Sequence, residues 1–179
     1  MTQSDVHYEI ERKYLITMPD IAVLKAQNGV EIVQIRQDYL SGTPGGRLRA
    51  ATTAQGTVYI HTVKQRLTDA TRIEQERLIS FAEYQTLLHD RDPALRTIEK
   101  TRYRIPFRSL IAEVDLFPFW QDRAIVEFEL ENEAQQPQMP DWLHVVREVT
   151  HDRRYTNLAL ARAVPMDALD IGPETGFVN

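Results

Sequence analysis

Glu9 and Glu11 stand two residues apart in the stretch HYEIERKYLI (7–16), with Lys13 two residues further on. Read as a strand, the stretch puts these three side chains on one face and Tyr8, Ile10, Arg12, Tyr14 and Ile16 on the other. Residues two apart on a strand lie roughly 7 Å apart, so two ionised glutamates on one face repel unless something positive sits between them. Water and salt, an arginine or a metal ion could fill that role. The same parity recurs along the chain. It groups Arg47 with Arg49, then Arg72, Glu74 and Glu76, then Lys100, Arg102 and Arg104. It also groups Glu113 with Asp115, and Glu127 with Glu129 and Glu131. The opposite faces are largely apolar, as in Val126, Phe128 and Leu130.

Period-two charge ordinarily marks the solvated face of an amphipathic sheet. The distribution of signs argues for more. A solubilising surface intersperses signs, because like charges at neighbouring positions destabilise a sheet; here EFELE is acidic and KTRYR is basic. Segregation of this kind is relieved by a ligand that offers both kinds of partner. A polyphosphate travelling with divalent cations is such a ligand: arginine and lysine grip phosphate oxygens, and carboxylates hold the metal that bridges them. Lysine is scarce, occurring only at 13, 25, 64 and 100, and three of those four positions fall in strand-like runs.

The elements that must position these residues are mostly strands. Residues 30–40, 47–53, 57–65, 71–80, 95–107, 110–117 and 123–132 alternate and are separated by turn residues such as GTPGG and AQG. With the strand around 7–16 they make eight. Helices are expected over 19–29, over 81–90 with Ser80 as N-cap, and over 155–164 after a short strand or loop that begins at Glu148. The expected fold is mainly β (α+β): an eight-stranded antiparallel closed barrel forming a hydrated tunnel. The apolar parity then faces outward under the three helices. One domain spans 1–165, followed by a flexible tail over 166–179.

Composition limits the alternatives. At 42% hydrophobic and 26% charged over 179 residues, the chain is globular and long enough to bury a core. It has no cysteine, which excludes disulfides and thiolate metal sites. No apolar run approaches the ~20 residues that span a bilayer, and the amino terminus has no signal-peptide pattern, so a cytoplasmic location is expected. A formal net charge of -5 argues against nucleic acid as a partner. The five histidines show no ligand spacing, and Trp120 and Trp142 read as packing residues.

Glu9-Ile10-Glu11-Arg12-Lys13 resembles the ExExK signature of the CYTH superfamily, the triphosphate tunnel metalloenzymes. The resemblance runs on through QIRQDYL, RLR, Lys64, EQER, EKTRYR, EVDLF, VEFELE and VTHDRRYTNLALA in the family's order. It implies metal-dependent hydrolysis of inorganic triphosphate inside a charged β-tunnel, with Mg2+ or Mn2+ as cofactor. It implies Glu9, Glu11, Lys13 and Lys64 as catalytic residues and Lys13, Arg47, Arg49, Lys64, Lys100, Arg102 and Arg104 as substrate-binding ones. Glu9, Glu11, Asp115, Glu127 and Glu129 are the implied metal ligands, while the roles of Glu74, Glu76, Arg153 and Arg154 stay open. Adenylate cyclase and thiamine or nucleoside triphosphatase activities are alternatives on the same site. A non-catalytic nucleotide- or polyphosphate-binding module is an alternative of another class. The expected partner is a small-molecule triphosphate, with no nucleic acid and no membrane, and with room for a homodimer.

Overall fold

The computed structural model describes residues 10–43, 45–66, 72–132 and 134–169; for 64–66 and 72–74 it describes the backbone alone. Alternating sequence folds into strands β1 (Ile10–Thr17), β2 (Glu31–Tyr39), β3 (Arg47–Thr53), β4 (Gly56–Arg66) and β5 (Arg72–Ile79). β6 (Ile98–Phe107), β7 (Leu110–Leu116), β8 (Arg123–Leu130) and β9 (Val145–Glu148) follow. Three short helices accompany them: α1 (Ile21–Lys25), α2 (Phe81–Leu88) and α3 (Asn157–Arg162), the last preceded by a 3-10 turn at Arg153–Tyr155. Their N-caps are Asp20, which accepts from Ala22 N at 2.7 Å, Ser80, which accepts from Glu83 N at 3.2 Å, and Thr156, which accepts from Ala159 N at 3.2 Å. No described helix is long and apolar enough to cross a membrane.

The nine strands form one antiparallel sheet in the order β5-β4-β3-β2-β6-β7-β8-β1-β9. This corrects the expected closed eight-stranded barrel. Closure would require β5 to hydrogen-bond along the free edge of β1. That edge is occupied by β9, which pairs Tyr14 with Glu148 and Leu15 with Arg147 before the register shifts. β9 escaped the sequence reading because its four residues are mostly exposed and show no in-out alternation.

The sheet is nevertheless strongly curved. Leu15 on β1 and Tyr39 on β2 are buried in one apolar cluster. Four inter-strand spacings separate β1 from β2 along the sheet, about 19 Å if it were flat. The charged parity therefore lines the inside of the curve. On the outside, Ile16, Tyr103, Val114, Val126 and Phe128 form a core with Leu24 of α1 and Leu143. A second outer cluster packs Leu48 and Leu40 against Tyr84 of α2. These two covers match the expected placement of the first two helices.

The third helix sits elsewhere. Leu160 and Ala161 of α3 join Phe117, Trp120 and Tyr155 in a cluster with Leu15, Tyr39, Ile98 and Ile125, four residues of the inward parity. The inner face is thus apolar at one end, and α3 with its aromatic neighbours closes that end as a floor. Trp120 Nε1 donates to Pro165 O at 3.1 Å, and Leu169 packs on the floor, so residues 165–169 are tied to it. Residues 170–179 of the expected tail lie outside the described residues.

Asp152 pins the 3-10 turn: it accepts from Arg154 N at 3.2 Å and pairs with Arg147 and Arg154, whose guanidinium groups lie over the Tyr155 ring. Arg154, with Arg147 assisting, lowers the Asp152 pKa from 3.8 to about 2. A depressed carboxyl pKa adds stability above its unfolded value and loses it as pH falls through the folded one. Asp152→Asn should therefore melt below the parent at neutral pH, with the gap shrinking as pH falls from about 4 to about 2. Melting curves over that range check this; a gap that ignores pH would assign the role to the hydrogen bonds rather than the charge.

Candidate functional site

Strand register brings the sequence-predicted residues onto one surface. Lys13 lies opposite Glu127, and Glu11 opposite Glu129. Glu127 lies opposite Glu113, which lies opposite Arg104, while Arg102 lies opposite Asp115. Across β2, Gln37 meets Arg49 and Tyr39 meets Arg47. Arg47 then pairs with Thr62, and Thr62 with Glu76. Lys64 and Glu74 occupy the next inward positions of β4 and β5, opposite one another, but their side chains lie outside the described residues. Glu9 lies outside them as well.

Arg102 is the most heavily engaged group. Its Nε and Nη2 donate to the two oxygens of Asp115 at 2.7 Å each, Nη2 also reaches Glu127 Oε2 at 2.5 Å, and Nη1 donates to Glu113 Oε2. Asp115 is fully buried, and its Oδ2 also takes Lys100 Nζ at 2.5 Å. Lys13 Nζ pairs with Glu127 Oε1 at 2.8 Å and approaches Glu11 Oε1 at 3.6 Å. These contacts set the protonation states. Burial would raise the Glu127 pKa, but Lys100, Lys13 and Arg102 hold it far below the carboxylate range. Burial would lower the Lys13 pKa, and the Glu127 and Glu11 charges more than reverse this. For Lys100, burial and the neighbouring Arg102 prevail over Asp115, so its pKa falls below the ordinary lysine value.

A second cluster lies across β3 to β5. Glu76 Oε1 accepts from Arg47 Nη2 at 3.0 Å and from the buried Thr62 Oγ1 at 2.9 Å. Between the clusters, Tyr39 Oη accepts from Gln37 Nε2 at 2.7 Å. Burial pushes the Tyr39 pKa up to about 12, partly offset by Arg47, Gln37, Arg49 and Lys13.

Among the expected metal ligands, Asp115 and Glu127 are taken up by cations. Glu11 is half exposed, and Glu129 is exposed and makes no ion pair among the described residues. No group of three or more described carboxylates or histidines converges as an ion site. Glu11 and Glu129 nevertheless fit a hard divalent ion: they are carboxylates directly opposite one another, a like-charge arrangement that a cation relieves. Arg153 and Arg154 belong to the 3-10 turn, where Arg154 pairs with Asp152 and Asp167.

Glu31, Gln37, Tyr39 and Thr62 also line this surface without having been assigned to it, and Glu113, on the charged face by parity, had been given no site role. Glu113 carried a signal, since it shares its parity with Asp115. The β2 residues did not, because Val33 and Ile35 interrupt the polar positions of the same face.

No protein-family model matches the chain. The chain is 36% identical over 165 residues to the inorganic triphosphatase of Nitrosomonas europaea, covering 88% of this chain and 99% of that protein. It is similar to the crystal structure of the inorganic triphosphatase NE1496, with a TM-score of 0.56 and 32% identity over 89% of this chain and 97% of that one. It is also similar to a crystal structure described as the hypothetical protein NE1496, with a TM-score of 0.58 and 34% identity over 88% of this chain and all of that one.

The Arg102 contacts predict a contrast in stability. Arg102→Met leaves Asp115, Glu127 and Glu113 without their shared cation and should cost about 3–5 kcal/mol in urea unfolding. Glu129→Gln removes one of two opposed like charges at an exposed position and should change stability by less than about 0.5 kcal/mol, in the stabilising direction. Similar unfolding midpoints for the two variants would show that Arg102 does not hold the inner face together.

Proposed function

Because the chain belongs to the inorganic triphosphatase family within the CYTH superfamily, we propose that it hydrolyses inorganic triphosphate on the inner face of its curved sheet. The observation that carries this reading is the convergence of Lys13, Arg47, Arg49, Arg102 and Arg104 on one inward surface, interleaved with carboxylates. Guanidinium forks and a lysine supply the donors that a chain of phosphate oxygens needs. Held on a folded sheet, they stabilise charge as it develops on the transferring phosphoryl group.

Mg2+ or Mn2+, held by Glu11 and Glu129 with Glu9 as a further ligand, would supply Lewis-acid polarisation of the phosphate oxygens. The protein's own contribution is to bind and orient. Triphosphate lies along the cations, with one end toward the apolar floor formed around Leu15, Ile98 and Ile125. Water attacks a terminal phosphorus, the bridging P–O bond breaks, and orthophosphate and pyrophosphate leave. The proton lost by the water ends on the phosphate products, which carry it away into solvent. Pyrophosphate, one phosphate shorter, would engage fewer of these cations. Long polyphosphate meets the floor.

Phosphate release from triphosphate, pyrophosphate, long-chain polyphosphate, ATP and thiamine triphosphate, each with Mg2+, with Mn2+ and with chelator, tests the reading. Triphosphate should exceed every other substrate by at least about tenfold in kcat/KM, with activity lost in chelator. Preferential turnover of ATP or thiamine triphosphate would move the activity to those esters. Binding of triphosphate without turnover under any metal would make the protein a polyphosphate-binding module.

A further inference from the structure

Glu113 takes part in none of the roles above, yet it joins two of the proposed phosphate-gripping arginines. Its Oε1 accepts from Arg104 Nε at 3.0 Å, and its Oε2 accepts from Arg102 Nη1. Register places Glu127 directly opposite it on β8, but among the described residues its side-chain hydrogen bonds run toward β6. One carboxylate thus spans two guanidinium groups that stand two residues apart on a single strand.

Arg104 is then held from both sides. Nη1 donates to Glu31 Oε2 at 2.8 Å, on the β2 residue opposite it in register. Nε is committed to Glu113, and Nη2 makes no hydrogen bond among the described residues. Its side chain is 39% exposed, against 16% for Arg102. The two arginines therefore differ in what they can offer a ligand. Arg102 has donated to three carboxylates, whereas Arg104 keeps an accessible N–H edge that two carboxylates aim.

We propose that Glu113 is a positioning residue for anion recognition, holding Arg102 and Arg104 in one fan so that Arg104 Nη2 meets the phosphate oxygens. This rests on the triphosphatase reading, and it makes a prediction opposite in sign to simple Coulomb attraction. Removing a negative charge beside an anion site should tighten anion binding if charge alone matters. If Glu113 orders the arginines, removal weakens binding, because a long side chain loses less freedom on binding when its planar group is already fixed.

The test compares the parent with Glu113→Gln, Glu113→Asp, Arg104→Ala and the double variant Glu113→Gln/Arg104→Ala. Steady-state kinetics with triphosphate and Mg2+ are paired with calorimetric titration of triphosphate in chelator. Glu113→Gln should raise KM and Kd about tenfold while kcat stays within about threefold, and Glu113→Asp, which keeps the charge, should recover part of the loss. The double variant should bind no more weakly than Arg104→Ala, since Glu113 acts through that arginine. Unchanged or tighter binding in Glu113→Gln overturns the proposal, as does a loss confined to kcat, which would place Glu113 on the reacting groups. If the parent hydrolyses triphosphate and Glu113→Gln binds it equally well, this proposal fails alone. If the parent binds triphosphate without releasing phosphate, the triphosphatase reading fails while the titrations still decide the role of Glu113. A parent that does not bind triphosphate at all ends both.

Discussion

The four donations of Arg102 are the constraint around which the inner face is organised. Curving a sheet crowds the side chains on its inside, and here Asp115, Glu127 and Glu113 come from two neighbouring strands onto one patch. Left to themselves, three carboxylates so placed would repel one another and drive the strands apart. A single planar cation with donors in fixed directions can serve all three, which a lysine ammonium cannot do with the same geometry. Lys13 and Lys100 then add charge at the periphery of the cluster. The result is a surface that is polar, well packed and internally compensated.

Compensation of this kind is consistent with a site that handles a highly charged ligand. A groove lined by unpaired arginines would attract any anion and would repel itself in the folded state. Here Lys13, Arg47, Lys100, Arg102 and Arg104 each already have a carboxylate partner, so a ligand must exchange with contacts that exist. A phosphate chain does so with several oxygens at once. The exposure gradient from Arg102 to Arg104 separates the group that sustains the surface from the group that faces outward.

Much of this was legible in the sequence, because period two is enforced by strand geometry. Once Lys100, Arg102 and Arg104 are read as one face, the remaining charged runs fall on the same surface, and the register bears this out where those runs lie in paired strands. Ser80 was legible for a similar reason, as its hydroxyl serves a local backbone N–H. What escaped reading depends on contacts between distant segments. Whether β5 meets β1 is decided by β9, whose Val145 to Glu148 carries no alternation. The placement of α3 at the floor depends on Trp120, Tyr155 and Ile98 meeting across the fold. Tyr39 and Gln37 were hidden because β2 mixes apolar and polar residues on its inward face.

β9 therefore settles more than the strand count. By covering the free edge of β1 while β5 stays at the far end of the sheet, it leaves a seam down the side of the curved surface, and among the described residues no strand pairing bridges it. A sealed cylinder admits a ligand only end-on, and a linear polyanion would have to thread it lengthwise. With one end stopped by the floor, a sealed version would also force products to leave by the way the substrate came. On the triphosphatase reading, such a seam would let a flexible chain of phosphates settle broadside and leave as two fragments without either having to pass the other.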